Sequence, residues 1–383
     1  MKRFFFILIF FLVLHKSLPL FACTGVVVSN DELTLVGNNE DYTNPLTKVW
    51  FIPARDGKYG CVFFGFDNYF PQGGMNDKGL FFDGFATAPL KVTGSVNKER
   101  YNGNLAKKIM HECETVKEVI AVFKKYNLEF LERAMLFFAD KSGDSVIIEG
   151  DEFIRKKGSY QIVTNFYQSK ATPGAYPCRR YNTAKKILDE DDEVSVDLCC
   201  RILDATHGGG TLYSNVYDLK KGIVHLYYFH DFTKEVTIDL EKELAKGKHF
   251  YDLPSLFPKN RAAESFKKTA LAGLKKRIKK KRWDKADPKA FESFTGTYQV
   301  EQNPSVKIYI LKDKNKLFFR SEEPEAKELI PHSKDSFYIF YFSHDVKLTF
   351  NKNEAGSVTS ALLEDSRNFK LNLKKLSPSE GPV

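Results

Sequence analysis

Apolar residues in this chain fall into short blocks broken by Gly, Pro, Asn and Asp, and only a few stretches repeat at helical spacing. Between residue 23 and about 255 the blocks predict strands at Gly25–Ser29, Leu33–Gly37, Lys48–Ile52 and Cys61–Phe66. Two helices are expected next, Asn104–His111 and Val116–Tyr126, the second capped by Thr115. Strands resume at Met135–Ala139, Ser145–Glu149 and Tyr160–Thr164. Helices at Arg180–Leu188 and Val196–Ala205 follow. A hairpin then joins Thr211–Val216 to Ile223–Phe229 through Asp218–Gly222. Strands in blocks around helices in blocks indicate an α+β unit with layered sheets and helices outside, not strict βαβ alternation.

The texture changes after that. Residues 256–288 read as a basic linker. Residues 267 to 282 hold nine Lys or Arg and no acid, and they account for the whole formal excess of +9. From about residue 289 to 376 short alternating blocks recur between polar turns: Phe294–Tyr298, Val306–Leu311, Lys316–Arg320, Ser336–Phe342, Val346–Phe350 and Val358–Leu363. That is the pattern of a small all-β domain, barrel-like or sandwich-like. The 383 residues suit two domains. The 34 Phe and 18 Tyr favour pleated surfaces over helix bundles.

The N-terminus stands apart. Lys2 and Arg3 precede an unbroken apolar run of 11 residues, Phe4 to Leu14. This is too short to span a bilayer and matches a secretory signal covering residues 1–22. Export is therefore expected, to a secreted, periplasmic or cell-surface location. The alternative is an uncleaved anchor. Leu20-Phe21-Ala22-Cys23 also loosely resembles a lipobox, in which Cys23 would carry lipid and serve only as an anchor. The six cysteines show no CxxC pair and no metal-like spacing with histidine, so buried thiols are the plainest reading. The basic stretch 267–282 is read as a solvated helical linker, with weak contact to an anionic surface as the alternative. No nucleic-acid motif is present.

Cleavage after Ala22 would leave a chain beginning Cys23-Thr24-Gly25. A thiol ionises near pH 8.5 and an α-amine near 7.7 to 8.0, so one residue can supply both nucleophile and base. Three further segments join this one: Gly37-Asn38-Asn39-Glu40-Asp41, Gly74-Met75-Asn76-Asp77-Lys78-Gly79-Leu80 and Val163-Thr164-Asn165. Together, in this order, they resemble the choloylglycine hydrolase and penicillin V acylase group of N-terminal-nucleophile hydrolases. The resemblance covers roughly residues 23 to 240. It implies a four-layer αββα sandwich, followed here by the small β-domain. It assigns Cys23 as nucleophile and Asp41 as the acceptor for its α-amine. It makes Asn165 and the backbone N–H of Ala86 the oxyanion donors. Arg180, ahead of Arg179, becomes a late active-site arginine that favours the thiolate and the oxyanion. Asn38 stands where the group has an arginine in the early turn. Phe81, Phe82 and Phe85 are read as core, with Tyr42.

The expected activity is hydrolysis of a linear, non-peptide C–N amide bond through an acyl-thioester. Acyl transfer by the same machinery is the close alternative, and a lipoprotein with a binding role is the distant one. The partner is a small N-acyl amide. No metal or cofactor is called for. Singly, Asp41 and Asn165 are also ordinary turn residues, and His207 before Gly208 reads as a loop residue.

Overall fold

The computed structural model of the chain describes residues 23–365 and 369–377; the expected leader, 1–22, lies outside them. The chain is α+β and mostly sheet. In chain order it runs β1 (Thr24–Ser29), β2 (Thr34–Asp41), β3 (Thr47–Ile52), β4 (Cys61–Phe66), β5 (Pro71–Asn76) and β6 (Phe81–Ala86), then α1 (Leu105–Glu112) and α2 (Val116–Phe123). Next come β7 (Ala134–Ala139), β8 (Ser145–Glu149), β9 (Glu152–Arg155) and β10 (Tyr160–Thr164), then α3 (Arg179–Glu190) and α4 (Val196–Thr206). They are followed by β11 (Thr211–Asp218), β12 (Ile223–Tyr228), β13 (Asp231–Asp239), α5 (Leu240–Ala245) and β14 (His249–Asp252).

These strands form two sheets. The first has six strands in the order β10-β1-β2-β11-β12-β13; the second has eight, in the order β14-β3-β4-β5-β6-β7-β8-β9. Alternation decides what each face meets. Val27, Val36, Tyr213 and Tyr217 of the first sheet pack with Phe64, Phe81, Phe85 and Phe137 of the second. The other face of the second sheet, with Phe63, Phe82 and Phe138, packs on Ile109 of α1 and Phe123 of α2. The other face of the first sheet, with Val26 and Val216, packs on Ala184 of α3 and Leu203 of α4. Phe81, Phe82 and Phe85 are thus core residues, as expected.

The helices form where caps permit. Asn104 accepts from the Lys107 N–H at the start of α1, and Thr115 and Glu118 make a reciprocal capping box at α2. Hydrophobic alternation marks no strands at Pro71–Asn76 or Phe81–Ala86. In the fold they are central, and Gly74 shows why the first of them is glycine-rich. A Cβ there would lie 2.2 Å from the Val62 carbonyl oxygen. Similarly, Gly37–Asp41, read as a turn, is the end of strand β2.

The basic stretch is one helix, α6 (Arg261–Lys281), capped by Asn260. Beyond it β15 (Gly296–Val300), β16 (Asn303–Asp313), β17 (Lys316–Arg320), β18 (Lys327–Pro331), β19 (Ser336–Phe340), β20 (Asp345–Lys352), β21 (Val358–Asp365) and β22 (Lys370–Lys375) close into a barrel around Phe294, Tyr298, Phe337 and Phe350. The barrel touches the sheets through Lys48, whose Nζ is 3.0 Å from Glu325 Oε2, and through Asp67 Oδ2, which accepts the Phe342 N–H at 3.0 Å. From α6, Arg277 donates to the carbonyls of Tyr341 and Phe342.

Candidate active site

Cys23 sits at the start of β1, 4 % exposed, with its side chain between the sheets. The register pairs Thr24 with Asn39 and Gly25 with Asn38, which sets Glu40 beside Cys23. Tyr213 of β11 pairs with Glu40 on the far side. On the opposite sheet Asp83 lies between Phe81 and Phe85 on β6. By the same alternation Asn38, Glu40 and Asp83 share the inter-sheet space with Cys23.

Arg180, at the head of α3, ties these elements together. It donates to the carbonyl oxygen of Cys23, to Thr24 Oγ1 at 2.8 Å and to Asn165 Oδ1 at 3.0 Å. Asn165 in turn donates through Nδ2 to the Ala86 carbonyl oxygen at 2.8 Å. The Thr87 N–H bonds the carbonyl of Arg133, just before β7, and Ala86 pairs with Ala134 on β7. Successive peptide groups of a strand face opposite edges. The N–H of Ala86 therefore faces away from β7, toward the edge that Asn165 occupies. Cys23, Asn165, Arg180 and Ala86 are brought together at one end of the sheets. Arg179 makes none of these contacts among the described residues.

Asp41 is buried at the end of β2 and accepts a hydrogen bond from Thr211 Oγ1. Burial raises its carboxyl to about 6, with the Thr211 bond and the charges of Arg180 and His207 opposing. His207 follows α4 and its ring stacks on His230, with centroids 4.8 Å apart.

The Cys23 thiol is pushed well up, first by burial and then by the carboxyls of Glu40, Asp41 and Asp83; the Asp41 N–H opposes this. With Asn38 in place of an arginine, the groups that dominate around the sulfur are acids. The charge of Arg180 acts on Asp41. Sequence reasoning missed Glu40 and Asp83 altogether. The one available signal was an acid inside the apolar run Phe81-Phe82-Asp83-Gly84-Phe85.

The six cysteines are all free thiols. Cys178, just before α3, differs from Cys23. Burial alone would raise it, but Thr164, the N–H groups of Tyr181 and Arg180, and the Arg180 charge bring it below its usual value. A cavity of about 720 Å³ opens on the outer face of the second sheet. Phe82, Leu105, Leu131 and Leu136 line it, and it reaches Gly84 and Ala86.

No protein-family model matches this sequence, and no curated protein does. Among solved structures, a mutant conjugated bile acid hydrolase from Clostridium perfringens is similar over 60 % of this chain and 96 % of its own, at 18 % identity and a TM-score of 0.47. A second variant of that enzyme matches over the same shares at 17 % identity and a TM-score of 0.47. A penicillin V acylase from Agrobacterium tumefaciens matches over 60 % of this chain and 90 % of its own, at 16 % identity and a TM-score of 0.46.

Proposed function

We propose that this chain, once freed of residues 1–22, is an amide hydrolase of the N-terminal-nucleophile kind that uses Cys23. The observation that carries the reading is the chain of contacts from Arg180 through Asn165 to Ala86, built around Cys23, the residue just before β1.

The chemistry follows from those positions. The thiol proton of Cys23 passes to its own α-nitrogen as the sulfur bonds the amide carbonyl carbon. An amide NH₂ carries two hydrogens. One of those on Asn165 Nδ2 is used by the Ala86 carbonyl. The second, with the N–H of Ala86, is offered to the oxyanion. The α-ammonium then gives its proton to the leaving nitrogen as the C–N bond breaks. This leaves an acyl-thioester on Cys23 and a free amine. Water completes the cycle: its proton goes to the α-amine and its oxygen to the acyl carbon. The proton then returns to sulfur as the S–C bond breaks. An amine in place of water would make the same site an acyltransferase.

The test is direct. Exported protein is examined by intact mass and N-terminal sequencing. Wild type and Cys23→Ala are then compared on N-acyl amino acids, bile-salt conjugates and penicillin V. An unmodified N-terminal Cys23 and loss of turnover in the variant are expected. A lipid adduct on Cys23, or undiminished turnover by the variant, overturns the reading.

A further inference from the structure

The inter-sheet space behind Cys23 holds an unusual polar group. Asn38 and Asn215 are buried in neighbouring strands and pair with each other in register. Glu40 and Tyr213 form the next such pair. Asp83 reaches in from the facing sheet, fully buried, and its Oδ1 accepts the Gly84 N–H at 3.0 Å. Gly73 makes room for it: a Cβ there would lie 2.9 Å from Asp83 Oδ1.

The oxygens left over are all acceptors. Asn38 Oδ1, Glu40 Oε2, Asp83 Oδ2 and Asn215 Oδ1 are buried without a hydrogen-bond partner among the described residues. The Asn215 amide is turned to Tyr217 Oη, 2.8 Å away. A buried acceptor without a donor is destabilising, and more so when charged. Two ionised carboxylates in one closed space would add mutual repulsion. A proton on one carboxyl relieves both problems, since it removes a charge and supplies an O–H donor.

We propose that Glu40 and Asp83 share a proton behind Cys23, and that the charge of this acid pair, not Arg180, sets the pH at which the Cys23 sulfur becomes nucleophilic. Burial and their mutual charge both push Glu40 upward, and burial pushes Asp83 upward against the Gly84 N–H and the Asn38 amide. The other groups facing the sulfur and the pair are Asp41 and Tyr42 on the β2 side and Tyr213 and Tyr217 on β11. Arg180 and His207 act on Asp41. Processing adds the α-amine of Cys23. Glu40 and Asp83 are positioning residues here: they touch neither substrate nor the bond that breaks. The inference builds on the Cys23 reading, but its test follows the sulfur itself and needs no substrate.

The experiment labels processed wild type, Glu40→Gln and Asp83→Asn with iodoacetamide across pH. Peptide mass spectrometry separates Cys23 from Cys178. Removing a negative neighbour lets the thiolate form at lower pH. The half-maximal pH for Cys23 should fall by about one unit in at least one variant, which is about tenfold faster labelling below the midpoint. Infrared spectra of the wild type at neutral pH should contain a protonated-carboxyl band. A wild type without that band overturns the proposal even if neither variant folds. A midpoint unmoved in both folded variants overturns it too. Loss of the Cys23 hydrolase reading would leave both measurements intact, so the two failures are distinguishable.

Discussion

Arg180 donates to Asn165 Oδ1 at 3.0 Å, and this bond decides which end of the Asn165 amide faces β6. The carbonyl is held by the guanidinium, so the NH₂ is turned to Ala86. Arg180→Ala removes the clamp and also frees the Cys23 carbonyl. Steady-state kinetics should give a kcat lower by about 10²–10³, the range for a lost oxyanion donor. Arg180→Lys should not restore it, because one ammonium cannot reproduce a planar fork gripping three oxygens, two at the start of β1 and one just after β10.

Asn165→Ala tests the donor itself. Its kcat should fall by about 10²–10³ while KM changes little, as expected when an interaction is made only in the transition state. Thr164 and the β1–β10 ladder stay in place, so the thermal midpoint should barely move.

Much of this site was legible in the sequence, and the illegible part has a physical reason. Cys23 and Asn165 lie within short runs that are individually common and gain specificity only from their order and spacing, and Arg180 follows by position. The capped helices α1 and α2 announce themselves through Asn104 and Thr115. Strand β5 does not, because Pro71, Gly73, Gly74 and Asn76 are turn formers that here allow close backbone approach. Strand β22 was hidden by lysines: only Leu371 and Leu373 mark it, amid Lys370, Lys374 and Lys375. Glu40 and Asp83 were invisible because burial of an acid depends on the facing sheet, 43 residues away along the chain. Single-sequence patterns carry no such pairing.

Asp41 gives a pH prediction. Its folded carboxyl titrates near 6, above the usual 3.8, so the folded chain binds that proton more tightly than the unfolded one. The associated stability is complete below about 3.8 and is lost as pH rises through about 6. Thermal melts of unprocessed Asp41→Asn should therefore be flatter than wild type across that window. Thr211→Val removes a bond that favours the carboxylate, and carbon-13 NMR should place the Asp41 midpoint higher. In processed protein the α-ammonium should bring it lower.

Gly25 supports the nucleophile through close packing. A Cβ there would lie 2.6 Å from Val163 Cγ1 and 2.9 Å from Phe85 Cζ. Gly25→Ala forces the sheets apart beside Cys23 and should cost about 1–3 kcal/mol. Gly209→Ala, where a Cβ meets nothing within 4 Å, is the control and should melt like wild type.

Asp67 joins the sheets to the barrel. Its Oδ1 accepts from Asn44 Nδ2 at 2.8 Å and its Oδ2 from the Phe342 N–H. Asp67→Ala strands both donors, and limited proteolysis should cut between the sheets and the barrel sooner than in wild type.

If Cys23 is the nucleophile, the acyl group of an amide passes onto the sulfur of an N-terminal Cys23. Processed enzyme is mixed with a turned-over amide, quenched in acid during the steady state and digested for peptide mass spectrometry. One acyl adduct is expected, on the peptide that begins at Cys23, with its α-amine unblocked. An adduct on Cys178, a blocked α-amine, or turnover with no adduct in Cys23→Ala that matches wild type would contradict it.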